Sequence, residues 1–407
     1  MSHSFSEMLG VRPEDKHLLY RTYFLYFCSG IMANSMGSIL KDMRNPSYGY
    51  GFSAGFQGIL SSAMQFGGLA ANILSGLLPF LIGRKKSTVI LALAPVLGLG
   101  VLVMTGNPAL LIMSFICVGV GKGVNSNITN IVVNQTASRR GVAQNFLHSF
   151  FSIGAVMGPV LMALFLQEKW RWPAMTIGTM IFVAVVLIGQ SSLSNEKEIR
   201  GKESIAIPRS FKYWYNTGIM FFYLCEEACL LSYTVSYFTY TGLFSDSASN
   251  YLASVLWIGI LIGRLGCIAI MNKVRKQYLI ATLGLCFIVS FIVMVNANTP
   301  AGALVSLFCV GLSMSGIYPT TMSTQEERYM KSSFCSGLCI GICTAATMIM
   351  PVIIGGVTNA TGSYRTGLKT LLVPLSCMFA LMVLKIFIEC INKNTKENRN
   401  VQHEERA

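Results

Sequence analysis

The sequence predicts an all-α membrane protein in which twelve transmembrane helices form two similar six-helix bundles. The first observation is composition: 53% of the residues are hydrophobic and 12% are charged, with a mean hydropathy of +0.57, which leaves too little polar surface for a water-soluble globule. The second is an internal repeat, because MSFICVGV at 113–120 recurs as VSLFCVGL at 305–312. The third is a series of apolar runs of about 20 residues, each long enough to cross ~30 Å of hydrocarbon.

The repeat runs through most of each half of the chain at a constant offset of 192 residues. Further residues that match at this offset are Gly67 with Gly259, Leu69 with Leu261, Arg139 with Lys331, and Pro159 with Pro351. A duplicated bundle places the interface between repeats on the axis of the molecule, where secondary transporters hold their substrate near the bilayer midplane. The repeat therefore favours a transporter.

The apolar runs define the predicted membrane spans and the division into domains. In chain order they lie near 18–40, 53–81, 87–105, 109–134, 142–166, 173–193, 214–240, 248–271, 277–297, 301–323, 333–357 and 366–391. The polar stretch 194–212 falls where the first repeat ends and predicts a cytoplasmic linker. It joins an N-terminal six-helix bundle, 1–193, to a C-terminal six-helix bundle, 213–392, which is followed by a cytoplasmic tail, 393–407.

The basic residues orient these spans. With both termini in the cytoplasm, the cytoplasmic segments hold 22 of the 31 lysines and arginines and the outer segments hold six, counted with the first four residues of the spans beside them, as the preference of positive loops for the cytoplasm requires. The net charge of +14 then reflects topology and attraction to anionic lipid headgroups, and we expect no nucleic-acid partner. The uncleaved first span and the lack of organelle signals favour a bacterial inner membrane. We expect a monomer, because the central site forms within one chain.

The sequence argues against an enzyme. It contains no HExxH, GxSxG or nucleotide-binding motif, so no catalytic constellation is predicted. Nearly all of the twelve cysteines fall inside predicted spans and none forms a CxxC pair, which predicts neither a disulfide framework nor a metal site. We therefore expect no metal and no cofactor.

Two six-helix repeats joined by a cytoplasmic linker resemble the plan of the major facilitator superfamily. After the second span, a glycine and the run GRKK at 83–86 resemble the superfamily's loop 2-3 signature, in which a glycine precedes an acid, a base, and then Gly and two bases. Phe80 and Leu81 stand where the acid and the first base are expected. The resemblance implies that Gly76, Gly83, Arg84 and Lys85 form a gating loop at the cytoplasmic face.

Within this superfamily the chain resembles the fucose-permease-like sugar:proton symporters. Helix five reads NFLHSFFSIG at 145–154, similar to that family's Asn-x-x-His-x-Phe-Phe-x-x-Gly pattern, and FYLCEE at 222–227 is similar to an aromatic run that leads to one buried glutamate. The segments 170–171, 263–264 and 315–320 also resemble the sequences of this family. The resemblance implies proton-coupled sugar transport by alternating access. In these symporters the proton-linked acids are associated with helices one and four, where this chain has Asn34 and Lys122 instead.

Lys122 is the central candidate because it lies near the middle of the fourth predicted span. An unpaired ammonium there costs roughly 2.5–3.5 kcal/mol on insertion scales, so Lys122 needs water or an anion. Asn125, Ser126 and Thr129 follow it on the same helix face, which predicts a polar stripe along a central cavity. We interpret Lys122 as a binding group for a substrate carboxylate or another anionic group. A permanent internal ion pair is the alternative.

Glu226 and Glu227 are carboxylates deep in the seventh predicted span. At about 100° per residue they cannot face the same spot, and Glu227 is favoured because it matches the family position and shares a face with Tyr223. A glutamate that alternates between an apolar environment and a nearby cation can take up and release a proton during a transport cycle. Glu227, or else Glu226, is thus the predicted coupling site for a proton or sodium ion. A fixed structural acid is the alternative.

Other polar residues of the predicted spans offer donors and acceptors to a polyhydroxylated ligand. These candidates are Asn34, Asn125, Ser126, Asn145, His148 and Tyr318. His148 either contacts the solute, or relays a proton, or is a packing histidine. We assign structural roles to Arg264 and Lys385 and expect the Lys385 ammonium to snorkel to the membrane surface.

These residues predict a secondary active transporter that moves a small polar solute with a coupled cation, by alternating access around a central site. The solute is a sugar, a sugar acid or another organic anion. An exporter of drugs or amphipathic compounds is one alternative, because the 22 methionines offer flexible apolar surfaces. A transport-dead membrane sensor is the other. The expected partners are the small-molecule substrate, a proton or sodium ion, and membrane lipid.

Overall fold

The structure is a computed structural model that describes residues 8–52, 54–165, 169–194, 207–244, 246–271 and 273–404. These residues are almost entirely helical, and the one β-bridge among them joins Val11 to Ala137. Most of the predicted linker, 195–206, and the end of the predicted tail, 405–407, lie outside the described residues. The prediction of an all-helical fold is confirmed for the described part of the chain.

Every predicted span overlaps a helix or a pair of consecutive helices. The first half contains α1 (Lys16–Arg44), α2 (Ala54–Leu77, then Pro79–Ile82), α3 (Arg84–Ala92, then Ala94–Met104), α4 (Pro108–Thr136), α5 (Arg140–Ala163) and α6 (Arg171–Gly189). The second half contains α7 (Phe211–Thr241), α8 (Asp246–Ile270), α9 (Lys276–Val295), α10 (Pro300–Met314, then Ile317–Ser323), α11 (Ser333–Thr361) and α12 (Tyr364–Lys369, then Leu372–Glu404). Short helices at Pro13–Asp15 and Glu327–Lys331 precede α1 and α11.

Nine helical segments among the described residues are long and apolar enough to cross a membrane, and they belong to α2–α6 and α9–α12. The protein is therefore a multi-pass membrane protein. Within the described residues, Ser254–Ile270 of α8 is a shorter apolar segment. The helices α1, α7 and α8 each contribute side chains to the central cavity described below.

Proline divides four of the predicted spans, which the apolar runs had presented as continuous. The second segments of α2, α3, α10 and α12 carry Pro79, Pro95, Pro319 and Pro374 within their first three residues. Proline lacks a backbone N–H and is tolerated in the first turn of a helix but not in its interior. Each of these helices therefore ends and begins again close to its proline.

The internal repeat corresponds to one helix crossing that occurs twice. In the first half, Gly119 of α4 lies so close to the backbone oxygen of Met64 in α2 that a Cβ atom would not fit. In the second half, Gly311 of α10 lies in the same way against the backbone oxygen of Leu256 in α8. Small residues allow such close helix approach in membranes. Both residues of each pair are related by the 192-residue offset, so the repeat conserves a packing contact as well as a sequence.

One end of the molecule is closed by contacts between the two halves. Arg84, at the start of α3, donates to Gln135 Oε1 at 2.9 Å and to the backbone oxygen of Lys331 at 3.0 Å. Arg140 of α5 forms an ion pair with Glu327 at 3.8 Å. The α2–α3, α4–α5 and α10–α11 connections thus meet at the same end, which we call the closed end. In the predicted topology this end faces the cytoplasm.

Residues 8–11 form an N-terminal strap across the closed end. The backbone N–H groups of Ser138 and Arg139, in the α4–α5 connection, donate to the backbone oxygens of Gly10 and Leu9 at 3.3 and 3.2 Å. Gly10 has a φ of 64° and leaves no space for a Cβ beside Ser138, so this position favours glycine. Apolar strap residues belong to one buried cluster with residues of α5, α8 and α9.

The expectation that Lys385 snorkels is wrong. Its side chain is 1% exposed and donates from Nζ to Asn216 Oδ1 at 3.0 Å and to Thr324 Oγ1 at 2.7 Å. Lysine snorkels when the membrane surface offers the nearest polar partner. Here α7 and the end of α10 supply polar acceptors inside the second half, which the sequence of α12 alone does not reveal.

Candidate functional site

A cavity of about 240 Å³ lies between the two halves of the protein. It is bordered by α1, α2, α4 and α5 of the first half and by α7, α8, α10 and α11 of the second. With ~30 Å³ for each water in the liquid, this space holds roughly eight waters or one small solute. The predicted site residues on its wall are Asn34, Lys122, Ser126, His148, Glu227 and Tyr318.

The charged side chains on the wall are Lys122, Glu227 and Arg264. Glu227 Oε1 accepts a hydrogen bond from the Tyr223 hydroxyl at 2.9 Å and lies 3.8 Å from Arg264 Nη2. Lys122 is within electrostatic range of Glu227, but its ammonium makes no hydrogen bond or ion pair with any residue that the structure describes. Two cations therefore face one carboxylate, and with His148 neutral the wall carries one net positive charge.

Arg264 connects the two halves beneath this carboxylate. Its side chain is 3% exposed and donates across the interface to the backbone oxygen of His148 at 2.7 Å and to the hydroxyl of Ser152. Within its own half it donates from Nε to the backbone oxygen of Ser315 at 3.4 Å. Sequence analysis gave Arg264 a structural role, whereas the structure also places it on the cavity wall as the ion-pair partner of Glu227.

Sequence analysis did not place four of the wall residues at the site, and the repeat offset relates these four residues to one another. Arg264 corresponds to Asn72, and Gln65 corresponds to Trp257, and all four line the cavity. The amides also join the halves, because Asn72 Nδ2 donates to Thr344 Oγ1 at 2.9 Å and Gln65 Nε2 donates to Thr347 Oγ1 at 3.4 Å. In these two pairs, both repeats place the corresponding residue on the cavity wall.

An aromatic layer spans the two halves at the cavity. The His148 ring lies edge-on to Tyr26 and Tyr318, with ring centroids 5.4 and 5.3 Å apart, and Tyr318 contacts Tyr223 at 5.8 Å. His148 Nε2 has no hydrogen-bond partner among the described residues. The ring is therefore fixed by its aromatic neighbours, and its Nε2 atom is buried.

Three predicted site residues lie behind the wall. Asn125 turns toward α1 and donates to Ser29 Oγ at 2.9 Å, and Asn145 donates to the backbone oxygen of Gly141 at 3.0 Å and to Thr320 Oγ1 at 3.3 Å. Glu226 is fully buried on another face of α7, and neither of its carboxyl oxygens has a hydrogen-bond partner within the described residues. The 100° rotation per residue accounts for this, because it turns Glu226 away from the face of Glu227.

Asn34 lines the cavity but already has a partner. Its Nδ2 donates to the backbone oxygen of Ala155 at 2.6 Å, which ties α1 to α5 within the first half. Among the described residues, no cluster of three or more His, Cys, Asp or Glu side chains is placed to hold a metal ion.

The residues assigned to the gating loop all lie at the closed end. Gly76 belongs to the last turn of α2 rather than to a loop, and a Cβ there would lie 3.0 Å from the backbone oxygen of Ser333 in α11. Gly83 precedes α3 with a φ of 85°. Lys85 Nζ donates to the backbone oxygen of Ser191 at 2.9 Å, and Arg84 makes the contacts between the halves given above. Their role in gating stays a prediction.

Comparison with known proteins extends these observations. The family model described as Major Facilitator Superfamily matches residues 22–338. Protein TsgA of Escherichia coli O157:H7 is 23% identical over 324 residues, which cover 76% of this chain and 79% of TsgA. A TsgA homolog of Yersinia enterocolitica is 22% identical over 358 residues, which cover 85% and 89% of the two chains.

Solved structures share the fold. FucP, a Major Facilitator Superfamily transporter in the outward conformation, superposes with a TM-score of 0.76 at 15% identity and covers 90% of this chain and 98% of its own. FucP from E. coli is a fucose:proton symporter. The human organic anion transporter MFSD10 superposes with a TM-score of 0.75 at 13% identity and covers 91% and 100%. At these identities the likeness concerns the fold alone.

Proposed function

The chain belongs to the Major Facilitator Superfamily and is a membrane transporter rather than an enzyme, and from the charges of its cavity we propose that it carries a small organic anion, such as a sugar acid. The fold does not select the substrate, because a fucose:proton symporter and an organic anion transporter share it to a similar degree. The net positive charge of the wall supports an anion. The unpaired ammonium of Lys122 is the single observation that carries the proposal.

An anionic substrate explains how the cavity closes. Lys122 comes from α4 of the first half, and Arg264 comes from α8 of the second. A carboxylate bound between them neutralises the excess charge and attracts the two halves to each other. A neutral sugar would leave the excess charge uncompensated when water is expelled, and an unpaired charge in an apolar medium is costly. With Glu227 ionised the wall therefore favours a monoanion, and with Glu227 protonated the wall carries two positive charges and attracts an anion more strongly.

The neutral groups of the wall complement the rest of such a solute. They include the amides and hydroxyls of Asn34, Gln65, Asn72, Ser126 and Tyr318. Amides and hydroxyls both donate and accept hydrogen bonds, as the hydroxyls of a sugar acid require. Trp257 and Phe151 add apolar surface on opposite halves.

We assign cation coupling to Glu227. In this structure Glu227 pairs with Arg264, and protonation of Glu227 would free the guanidinium for the carboxylate of the solute. One proton carried with one monoanion moves no net charge, so the membrane potential, worth ~2.3 kcal/mol per charge per 100 mV, does not oppose uptake. Glu226 is the second candidate, although it lies off the wall.

The proposed topology has twelve spans, with the closed end and both termini in the cytoplasm. The boundaries 1–193, 194–212, 213–392 and 393–407 are those of the sequence analysis. The lysine and arginine distribution supports this orientation. We place a monomeric protein in a bacterial inner membrane. An exporter of amphipathic compounds is less well supported, because such cargo has no need of three ionised groups on the wall.

A thermal-shift screen tests the anion proposal. The purified protein is heated with D-gluconate, D-glucuronate or L-lactate and, separately, with D-glucose or L-fucose, because a ligand that binds the folded state raises its melting temperature. We expect the anions to stabilise the protein. A charge-assisted hydrogen bond contributes ~1.5–3 kcal/mol, so Lys122→Met should weaken anion binding about 10- to 150-fold.

Lys86→Met is the matched control, because Lys86 is exposed and lies outside the cavity. This variant removes the same charge and should bind anions as the wild type does. Stabilisation by neutral sugars that survives Lys122→Met would contradict the proposal. It would make Lys122 an internal counter-ion and the protein a neutral-sugar permease.

A further inference from the structure

A groove of about 560 Å³ lies between α1 and α5 of the first half. Six of its seven lining residues are aromatic, and none of the seven lines the central cavity. They are Tyr20, Tyr23, Phe24 and Phe27 of α1, and Phe146, Phe150 and Ile153 of α5. On α5, the 100° rotation per residue places Phe146 and Phe150 on the side opposite His148 of the cavity wall. The groove therefore faces away from the cavity and toward the lipid.

The groove is an open, apolar trough. At its deep end the two helices touch, because Gly154 leaves no room for a Cβ beside the backbone oxygen of Phe27. The rings of Tyr23 and Phe150 stack at the floor with their centroids 5.2 Å apart, and Tyr23 is buried. At the rim, Ile153 is 38% exposed. Such a trough between two membrane-spanning helices accommodates a hydrocarbon chain.

The aromatic lining is not a requirement of the fold. At the 192-residue offset, α11 of the second half carries aliphatic residues at the groove positions of α5. Those on α5 are Phe146, Phe150 and Ile153, and those on α11 are Leu338, Ile342 and Ala345. Aromatic side chains bury large apolar areas on contact. Their concentration on one side of the first half therefore indicates a bound apolar partner.

A lysine lies at the closed end of the groove. Lys16 begins α1, four residues before Tyr20, and its Nζ lies 5.9 Å from the centroid of the Tyr20 ring. It makes no hydrogen bond or ion pair with any residue that the structure describes. The two acids that precede it are already paired, because Glu14 and Asp15 lie 2.8 and 2.7 Å from Arg12. The charge of Lys16 is thus open to an external anion.

The two helices add positive charge at this end but no negative charge. The ranges 16–41 and 140–163 contain no Asp or Glu, and the exposed Arg139 precedes α5. From Lys16 to Phe27 the helix rises ~16 Å at 1.5 Å per residue, close to the ~15 Å of hydrocarbon in one leaflet of a 30 Å bilayer core. The tyrosines of α1 lie nearer the closed end than its phenylalanines, as the preference of tyrosine for the membrane interface requires.

We propose that this groove binds one acyl chain of an anionic phospholipid, whose phosphate lies at Lys16. The apolar lining matches the chain, the length matches one leaflet, and the basic end matches the headgroup. In the proposed topology the lipid belongs to the cytoplasmic leaflet. Only the choice of leaflet rests on that orientation, and the inference is independent of the transported solute.

Native mass spectrometry of the detergent-purified full chain tests the assignment, because it resolves each bound lipid by mass. The protein is titrated with palmitoyl-oleoyl phosphatidylglycerol or with zwitterionic palmitoyl-oleoyl phosphatidylcholine, and the Kd of the first bound lipid is measured. Lys16→Gln removes the charge, and Ile153→Trp fills the groove. The matched controls are Lys86→Gln, at an exposed lysine, and Ile262→Trp, at an exposed isoleucine of α8.

We expect the wild type to bind phosphatidylglycerol at least about fivefold more tightly than phosphatidylcholine, since one lysine near an anionic headgroup contributes ~1 kcal/mol. Lys16→Gln should remove most of this preference and keep the binding of phosphatidylcholine. Ile153→Trp should weaken the binding of both lipids, because the indole occupies the space of the chain. Equal affinities of the wild type for the two lipids, or either variant binding like its control, would overturn the assignment. The two variants lie on different helices, so a folding failure of one leaves the other as a test.

Discussion

The ion pair between Arg264 and Glu227 allows a quantitative test of the cavity. Arg264 Nη2 and Glu227 Oε1 are 3.8 Å apart, and the side chains are 3% and 19% exposed. At an effective dielectric constant of ~20, their Coulomb attraction is about 4 kcal/mol. Removal of one partner from a buried pair costs ~3–5 kcal/mol, because it leaves the other charge without compensation.

The two single variants should differ in a predictable way. Glu227→Gln keeps the shape of the side chain and an oxygen that accepts from Tyr223. Arg264→Gln also leaves the backbone oxygen of His148 without its donor, and one charged hydrogen bond contributes a further ~1.5–3 kcal/mol. We therefore expect Arg264→Gln to reduce the free energy of unfolding more than Glu227→Gln. The double variant should lose less than the sum, by up to roughly 3 kcal/mol.

Equilibrium unfolding in mixed dodecyl maltoside and SDS micelles, followed by circular dichroism, measures these free energies. The ion pair between Arg140 and Glu327 is the matched control, because it has the same separation of 3.8 Å but side chains 26% and 54% exposed. A double-variant cycle there should give a coupling of ~0–1 kcal/mol. If the losses in unfolding free energy of the two single variants at Arg264 and Glu227 add up to that of the double variant within ~0.5 kcal/mol, the view that this ion pair stabilises the cavity wall is refuted.

Two further predictions concern protons. In proteoliposomes, Glu227→Gln should abolish the response of D-gluconate uptake to an inward proton gradient but keep the exchange of D-gluconate across the membrane. Glu226→Gln should keep both the response to the gradient and the exchange. The reverse pattern would assign coupling to Glu226. At the closed end, the hydrogen bond and charge of Lys331, together with the charge of Arg140, lower the pKa of Glu327 below its ordinary 4.5. A lowered pKa stabilises the folded state above pH 4.5, and this contribution is lost as the pH falls through the lowered value. The melting temperature should thus fall more steeply below pH 4.5 in the wild type than in Glu327→Gln, and parallel curves would contradict this.

The fold was largely predictable because the bilayer imposes long apolar helices on the sequence. The breaks near Pro79 and Pro319 were less visible, since a proline in an apolar run signals a break only when its place in the helix is known. The sequence repeat, by contrast, matches individual residues of the two halves to one another. Gly119 and Gly311 match in sequence because both lie at the same close crossing of two helices.

The candidate site was predictable where one helix carries the signal. Lys122, Ser126 and Glu227 stand out because the bilayer makes polar groups expensive, and they lie on the cavity wall. Arg264 was undervalued because its partners come from three other helices. Burial of Lys385 escaped prediction for the same reason. Contacts across the interface depend on how the halves meet, which no single span encodes.

The N-terminal strap has a consequence for the motion of the first half. It precedes α1 in the chain and pairs through its backbone with the turn between α4 and α5, while Asn34 fastens α1 to α5 from within. These two tethers hold α1, α4 and α5 together within the first half. We expect a protease that severs the strap to loosen α1 from the turn between α4 and α5 without touching the cavity.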